Sequence, residues 1–148
     1  MIDGRRVIAW TPYGRVLTYS LLIKYLKREV EKGVVDEVWL FMNTDPTGQE
    51  KDVAFAHEVD EQYPWAKLVY RPEGIPRHPG PKQRNTGYAY RYMTDPDAVY
   101  VRLDDDIVYL HEDALTNLVQ RRIETPAPTA IYATTWNTAI VSWFAQQA

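Results

Sequence analysis

Three consecutive acids, Asp104, Asp105 and Asp106, follow the short apolar segment Val99 to Leu103 (VYVRL) and precede another apolar stretch, Ile107 to Leu110. A buried strand that ends in three carboxylates brings like charges within a few ångströms of one another, and they repel unless a cation sits between them. On an extended backbone residues two apart share a side, so Asp104 and Asp106 point one way and Asp105 the other. Two such carboxylates are hard ligands that suit Mg²⁺ or Mn²⁺, ions that keep positions open for the oxygens of a substrate phosphate. The competing reading is a solvated acidic turn that caps a helix starting near Glu112.

The elements that must position these acids alternate along the chain. Arg6 to Trp10 (RVIAW) reads as a buried first strand stopped by Thr11-Pro12-Tyr13-Gly14. From Arg15 to Lys32 apolar residues recur at helical spacing, and Gly33 closes the helix. Glu37 to Met42 (EVWLFM) predicts a second strand, ended by the turn formers Asn43-Thr44-Asp45-Pro46. Gln49 to Tyr63 predicts a helix, Lys67 to Tyr70 a third strand, Arg71 to Pro81 a loop and Lys82 to Met93 a helix. Val99 to Leu103 is the fourth strand, Ala114 to Ile123 a helix, Ala130 to Ala133 a fifth strand, and a last helix is expected from about Asn137. Strands separated by helices of this length imply an α/β fold, a mostly parallel central sheet with helices on both faces. Ligands bind such a sheet at the carboxyl ends of its strands, so Thr11 to Gly14, Asn43 to Asp45 and Asp104 to Asp106 are expected on one rim.

Composition narrows the chemistry. The 148 residues are expected to form a single domain, and 45% hydrophobic content supports a core. A net charge of −3 argues against an extended nucleic-acid surface. The absence of cysteine removes disulfides, thiolate catalysis and Cys-ligated zinc. No apolar stretch approaches a membrane span, and the N-terminal MIDGRR lacks the apolar region of a signal peptide, so the cytoplasm is the expected location. The three histidines are scattered without HxxxH or HExxH spacing, and the first strand is followed by neither GxGxxG nor GxxxxGK[ST]. After Glu124 no Asp, Glu, Lys or Arg occurs, although Trp136, Trp143 and Phe144 lie in that tail. Such a surface calls for cover, and self-association of the chain through its C-terminal region is one form of it.

A strand followed by Thr-Pro, a strand ending in a polar Asn/Asp turn, then KQRNTGYAYRYM and VYVRLDDDIVYLHEDAL together resemble nucleotide-sugar glycosyltransferases of the GT-A fold, including bacterial and phage glycosyltransferase-like proteins. The matching residues are Arg84, Asn85 and Gly87 ahead of an apolar strand, then Asp104-Asp105-Asp106 as a DxD motif and His111 to Leu115 opening the next helix. The resemblance implies a nucleotide-sugar-binding, Rossmann-like half of a GT-A domain that moves a sugar from a nucleoside diphosphate donor, preferably a UDP-sugar, to a hydroxyl acceptor. It implies that Asp104 and Asp106 meet Mn²⁺ or Mg²⁺ and the donor diphosphate, with Asp105 in the same catalytic group. Asn43 or Asp45 would approach the base or ribose, and Thr11, Pro12 and Tyr13 would line the base pocket. Arg84 would pair with a phosphate or hold the first acid, beside Asn85, and Lys82 belongs to a basic stretch able to cover the phosphates.

One feature departs from that family. An inverting transferase needs a carboxylate base at the acceptor, usually beyond the DxD strand, and after Asp113 only Glu124 remains. Either the domain continues past residue 148, or transfer is retaining, or the chain is a compact non-catalytic module that binds nucleotide sugar or cation. A base within the chain would be sought among Asp105, Glu112 and Asp113. A nucleotidyltransferase on a related sheet is the other enzymatic alternative. The acceptor stays open among saccharide, lipid-linked sugar, protein and modified DNA base.

Overall fold

The computed structural model describes residues 1–44, 48–75, 86–125 and 130–133. Its elements run β1 (Val7–Tyr13), α1 (Val16–Glu31), β2 (Glu37–Met42), α2 (Glu50–Gln62), β3 (Ala66–Val69), a 3₁₀ helix (Gly87–Tyr92), β4 (Val99–Arg102) and α3 (Ala114–Glu124). All four strands pair in parallel in the order β3-β2-β1-β4. A parallel sheet covered on both faces requires strands that are apolar on both sides, and every residue of β1 is buried.

Side-chain alternation divides the core in two. Val7, Ala9 and Tyr13 of β1, with Val38, Leu40 and Met42 of β2 and Val99 and Val101 of β4, face the helical layer. There they meet Tyr19, Leu22, Ile23 and Leu26 of α1, a stripe at helical spacing, together with Ala56 and Val59 of α2 and Leu115 and Val119 of α3. Gly33, at a φ of 73°, ends α1 in the left-handed conformation that a glycine reaches without strain. The opposite face carries Ile8, Trp10, Trp39, Phe41 and Val69 beneath Tyr88 and Ala89 of the 3₁₀ helix. Phe41 is its hub, with edge-on contacts to Trp10, Trp39, Tyr88 and Tyr92. Fully burying one such side chain contributes about 1.5–3 kcal/mol.

Several expected boundaries move. β1 does not stop at Trp10 but runs through Thr11 and Pro12 to Tyr13. Even-numbered residues of β1 turn their backbone groups toward β4, as Trp10 does by accepting from the Leu103 N–H at 2.9 Å, while Tyr13 accepts from Asn43 N–H of the β2 side at 2.8 Å. By the same alternation the Pro12 nitrogen faces the β4 side beyond Trp10 and Arg102, the last pair of that ladder. Of the helix expected over Lys82 to Met93, the described part is the 3₁₀ helix, and residues 82–85 lie outside the described residues. Ala130 to Ala133 joins no ladder, so the expected fifth strand is absent there, and Tyr132 is exposed. The helix expected from Asn137 falls outside the described residues. Among the described residues no helix is long and apolar enough to cross a membrane.

The edge-to-face phenols of Tyr13 and Tyr19, 5.0 Å apart between α1 and the sheet, have a consequence at high pH. Burial pushes both above the ordinary value of 10.0, and the charge of Asp52 adds to the effect at Tyr13. A group raised in the folded state contributes stability below its unfolded value that is lost as pH climbs past it. Urea unfolding is expected to show stability falling above about pH 10. A phenolate absorbance titration should leave some of the eleven tyrosines un-ionised until the protein unfolds. Ionisation of every tyrosine in the folded protein would contradict this.

Candidate functional site

β2 and β4 flank β1 on opposite sides, so the crossovers leave β1 in two directions and a crevice opens beyond the carboxyl ends of β1 and β4. Gly14 and Arg15 follow β1 into that crevice, and the acidic run follows β4. The extended geometry expected for Asp104 to Asp106 gives way to a turn, in which the Ile107 N–H donates to the Asp104 carbonyl at 3.3 Å.

The turn shares the three acids between two arginines. Asp105 is 6% exposed and points inward. Its Oδ1 accepts from Arg15 Nε at 3.0 Å and from Arg15 Nη2, and its carbonyl accepts from the Thr18 hydroxyl at 2.6 Å. Arg15 Nη2 also lies 3.2 Å from Asp106 Oδ2. These hydrogen bonds, Asp105's first among them, hold the Arg15 guanidinium above its ordinary pKa. Asp104 instead pairs with Arg102, with Nε at 3.3 Å and Nη2 at 3.1 Å from Oδ1. Arg102 lies over the Trp10 ring, 5.5 Å from its centroid. Partial burial pulls Arg102 down, and the charge of Asp104 with hydrogen bonds to Tyr90 and Asp104 outweighs it, leaving the guanidinium raised. The run ends eight residues ahead of the first residue of α3 and does not cap that helix, whose N-cap residue is Asp113.

Asp104 and Asp106 are both exposed. Both line a cavity of about 1610 Å³ along the outer edge of β4, with Trp10, Tyr90, Arg102 and Tyr109, whereas Asp105 does not reach it.

The other expected site residues divide. Thr11, Pro12 and Tyr13 are buried within β1, and the Tyr13 hydroxyl donates to the Asp52 carbonyl at 2.7 Å. Their side chains are buried among the core residues, as is Gly14, so Arg15 is the first exposed residue of that segment. Asn43 is buried at the carboxyl end of β2, its carbonyl beside Gly14. Asp45, Lys82, Arg84 and Asn85 lie outside the described residues.

No family model, curated protein or solved structure matches this chain. The site is therefore read from its own geometry. Among the described residues no three acids or histidines gather closely enough to hold an ion by themselves. The donor set in the cavity, two half-exposed carboxylates, fits an ion that keeps most of its waters and takes its remaining ligands from substrate phosphates.

Arg15 is the residue that sequence reasoning missed. Its partner is 90 positions away, and the only local signal was an arginine at the strand-to-helix junction on the rim that carries the acids. The junction is fixed from α2. Asp52 Oδ1 accepts from the Val16 N–H at 2.7 Å, standing in for the N-cap that Arg15 does not supply, and Oδ2 accepts from Gln49 Nε2 at 3.2 Å. Asp52→Ala is expected to cost about 1–2 kcal/mol in urea unfolding, the range for losing a capping carboxylate. An unchanged midpoint would show that α1 starts without this contact.

Proposed function

We propose that this chain is the donor-binding domain of a metal-dependent glycosyltransferase, moving a sugar from a nucleoside diphosphate, with a UDP-sugar preferred, to a hydroxyl. The observation that carries the reading is the exposure of Asp104 and Asp106 in one cavity along the outer edge of β4, at the carboxyl end of that parallel strand. Charge supports it. Three carboxylates and two guanidiniums leave the acidic turn with one net negative charge, which repels a diphosphate. A divalent cation on Asp104 and Asp106 reverses that sign, so donor and cation favour each other's binding.

When bound there, Mn²⁺ or Mg²⁺ supplies neutralisation of the charge that grows on the leaving diphosphate. The chain's own residues do the rest. Asp104 and Asp106 hold the cation, Arg15 beside Asp106 borders the diphosphate, and Tyr90 offers an exposed ring at the cavity wall. The cytoplasm is the proposed location.

At a UDP-sugar concentration about a hundred times its dissociation constant, with Mn²⁺ present, the fold is expected to gain about 2.7 kcal/mol. Asp106→Asn should abolish that gain in a melting experiment while leaving the ligand-free protein folded. An equal gain without Mn²⁺, or in the variant, would remove the metal from the reading.

A further inference from the structure

We propose that the chain beyond Ala133 crosses to the outer edge of β4 and pairs with Tyr100 and Arg102 as a fifth strand of the sheet. The residues concerned, from Thr134 on, lie outside the described residues, and the ground for the proposal is the edge that β4 leaves open. It goes beyond the donor-binding reading and does not depend on a cation.

The two edges of the sheet are finished differently. On the β3 edge the outward N–H groups are occupied: that of Ala66 donates to the Tyr63 carbonyl at 2.9 Å and that of Leu68 to Asp60 Oδ1 at 2.7 Å. That edge offers no row of donors for another strand to join. On β4 the Val99 and Leu103 N–H groups donate to the Arg6 and Trp10 carbonyls at 2.8 and 2.9 Å, so alternation turns Tyr100 and Arg102 outward. Neither outward N–H has a hydrogen-bond partner among the described residues. Side chains do not blunt the edge either. β4 has no proline, the Tyr100 ring lies 6.0 Å from that of Trp39, and the Arg102 guanidinium stands over Trp10, so both long side chains lie on the aromatic face.

The occupant follows from where the chain goes. Ala130 to Ala133 line the same cavity as Tyr100 and Arg102, so the backbone is already beside β4 there. Thr138 lies five residues on, a reach of at most about 17 Å, and Thr138 to Phe144 (TAIVSWF) is rich in the β-branched and aromatic residues that strands favour. Its lack of charge matches the apolar wall that Leu103, Val108, Leu118 and Ile123 give the cavity. A helix over the same residues would satisfy its own backbone and leave the β4 donors unanswered. Pairing takes up Val99–Arg102, whereas Asp104 and Asp106 lie past the carboxyl end of β4 and stay exposed.

Amide hydrogen exchange followed by NMR on the full chain tests this. The Tyr100 and Arg102 amides are expected to exchange at least about a hundredfold more slowly than in an unstructured peptide, at a rate independent of protein concentration. Adjacent residues of a strand aim their N–H groups to opposite sides, so either Ile140→Pro or Val141→Pro removes a donor to β4 whatever the register. At least one of the two variants should restore fast exchange at Tyr100 and Arg102 while Val101, paired with β1, stays protected. Fast exchange in the wild type would overturn the proposal, as would protection that survives both prolines. Protection that grows with concentration would overturn it too, because a second copy of the chain would then hold the edge.

Discussion

A carboxylate that is almost wholly buried at the end of a parallel strand must keep a cation within hydrogen-bonding distance, and for Asp105 that cation is the guanidinium of Arg15. Removing one partner of a buried pair costs about 3–5 kcal/mol, with the lower end apt here because Arg15 is itself half exposed. Even the lower figure is a large part of a typical domain's stability of about 5–15 kcal/mol. The pair also sets geometry. By drawing Asp105 inward it turns the chain at the end of β4, and that turn is what sends Asp104 and Asp106 into the same cavity. The repulsion that three successive acids would otherwise suffer is largely relieved by Arg15 and Arg102, so the proposed metal would answer the proposed donor's charge rather than the fold's.

Helix α1 acts as a strut for the segment that follows the acids. At its start Arg15 and Thr18 hold Asp105, and near its end Arg28 Nη2 donates to the Leu110 and His111 carbonyls while Lys32 Nζ donates to that of Glu112. Thr18 to Lys32 spans about 21 Å of helix, and Asp105 to Glu112 reaches at most about 23–25 Å when extended. The two lengths agree to within the reach of a lysine side chain, so residues 105–112 have little slack and run along α1. Glu29, fully buried, pairs with Arg28 at 2.7 Å and Lys32 at 3.8 Å and fixes the far end of that run. The position of the acidic turn is thus set at both ends by one helix.

Much of this architecture is legible in the sequence, because apolar runs and helical stripes report burial directly. Glu37 to Met42 is a strand over those residues, and the stripe Tyr19, Leu22, Ile23 and Leu26 is the buried face of α1. What escapes is whatever depends on a neighbouring strand. Pro12 signals a turn by itself, yet continues β1 because the β4 ladder ends at Trp10 and Arg102, on the side its nitrogen faces. Ala130 to Ala133 has strand-forming residues and no ladder to join. Asp104 to Asp106 lie in a turn closed by Ile107 rather than on the extended strand that their spacing suggests. The role of Arg15 could not be read locally, since nothing near it in the sequence reveals a carboxylate 90 residues on.

The central claim is that Asp104 and Asp106 hold a divalent cation in company with a nucleoside diphosphate. Anomalous diffraction at the manganese edge, from crystals grown with Mn²⁺ and UDP, addresses it directly. One strong peak within coordination distance of both carboxylates, with phosphate density beside Arg15, is the expected result. Ordered UDP with no manganese at Asp104 and Asp106, or manganese bound elsewhere on the chain, would contradict it.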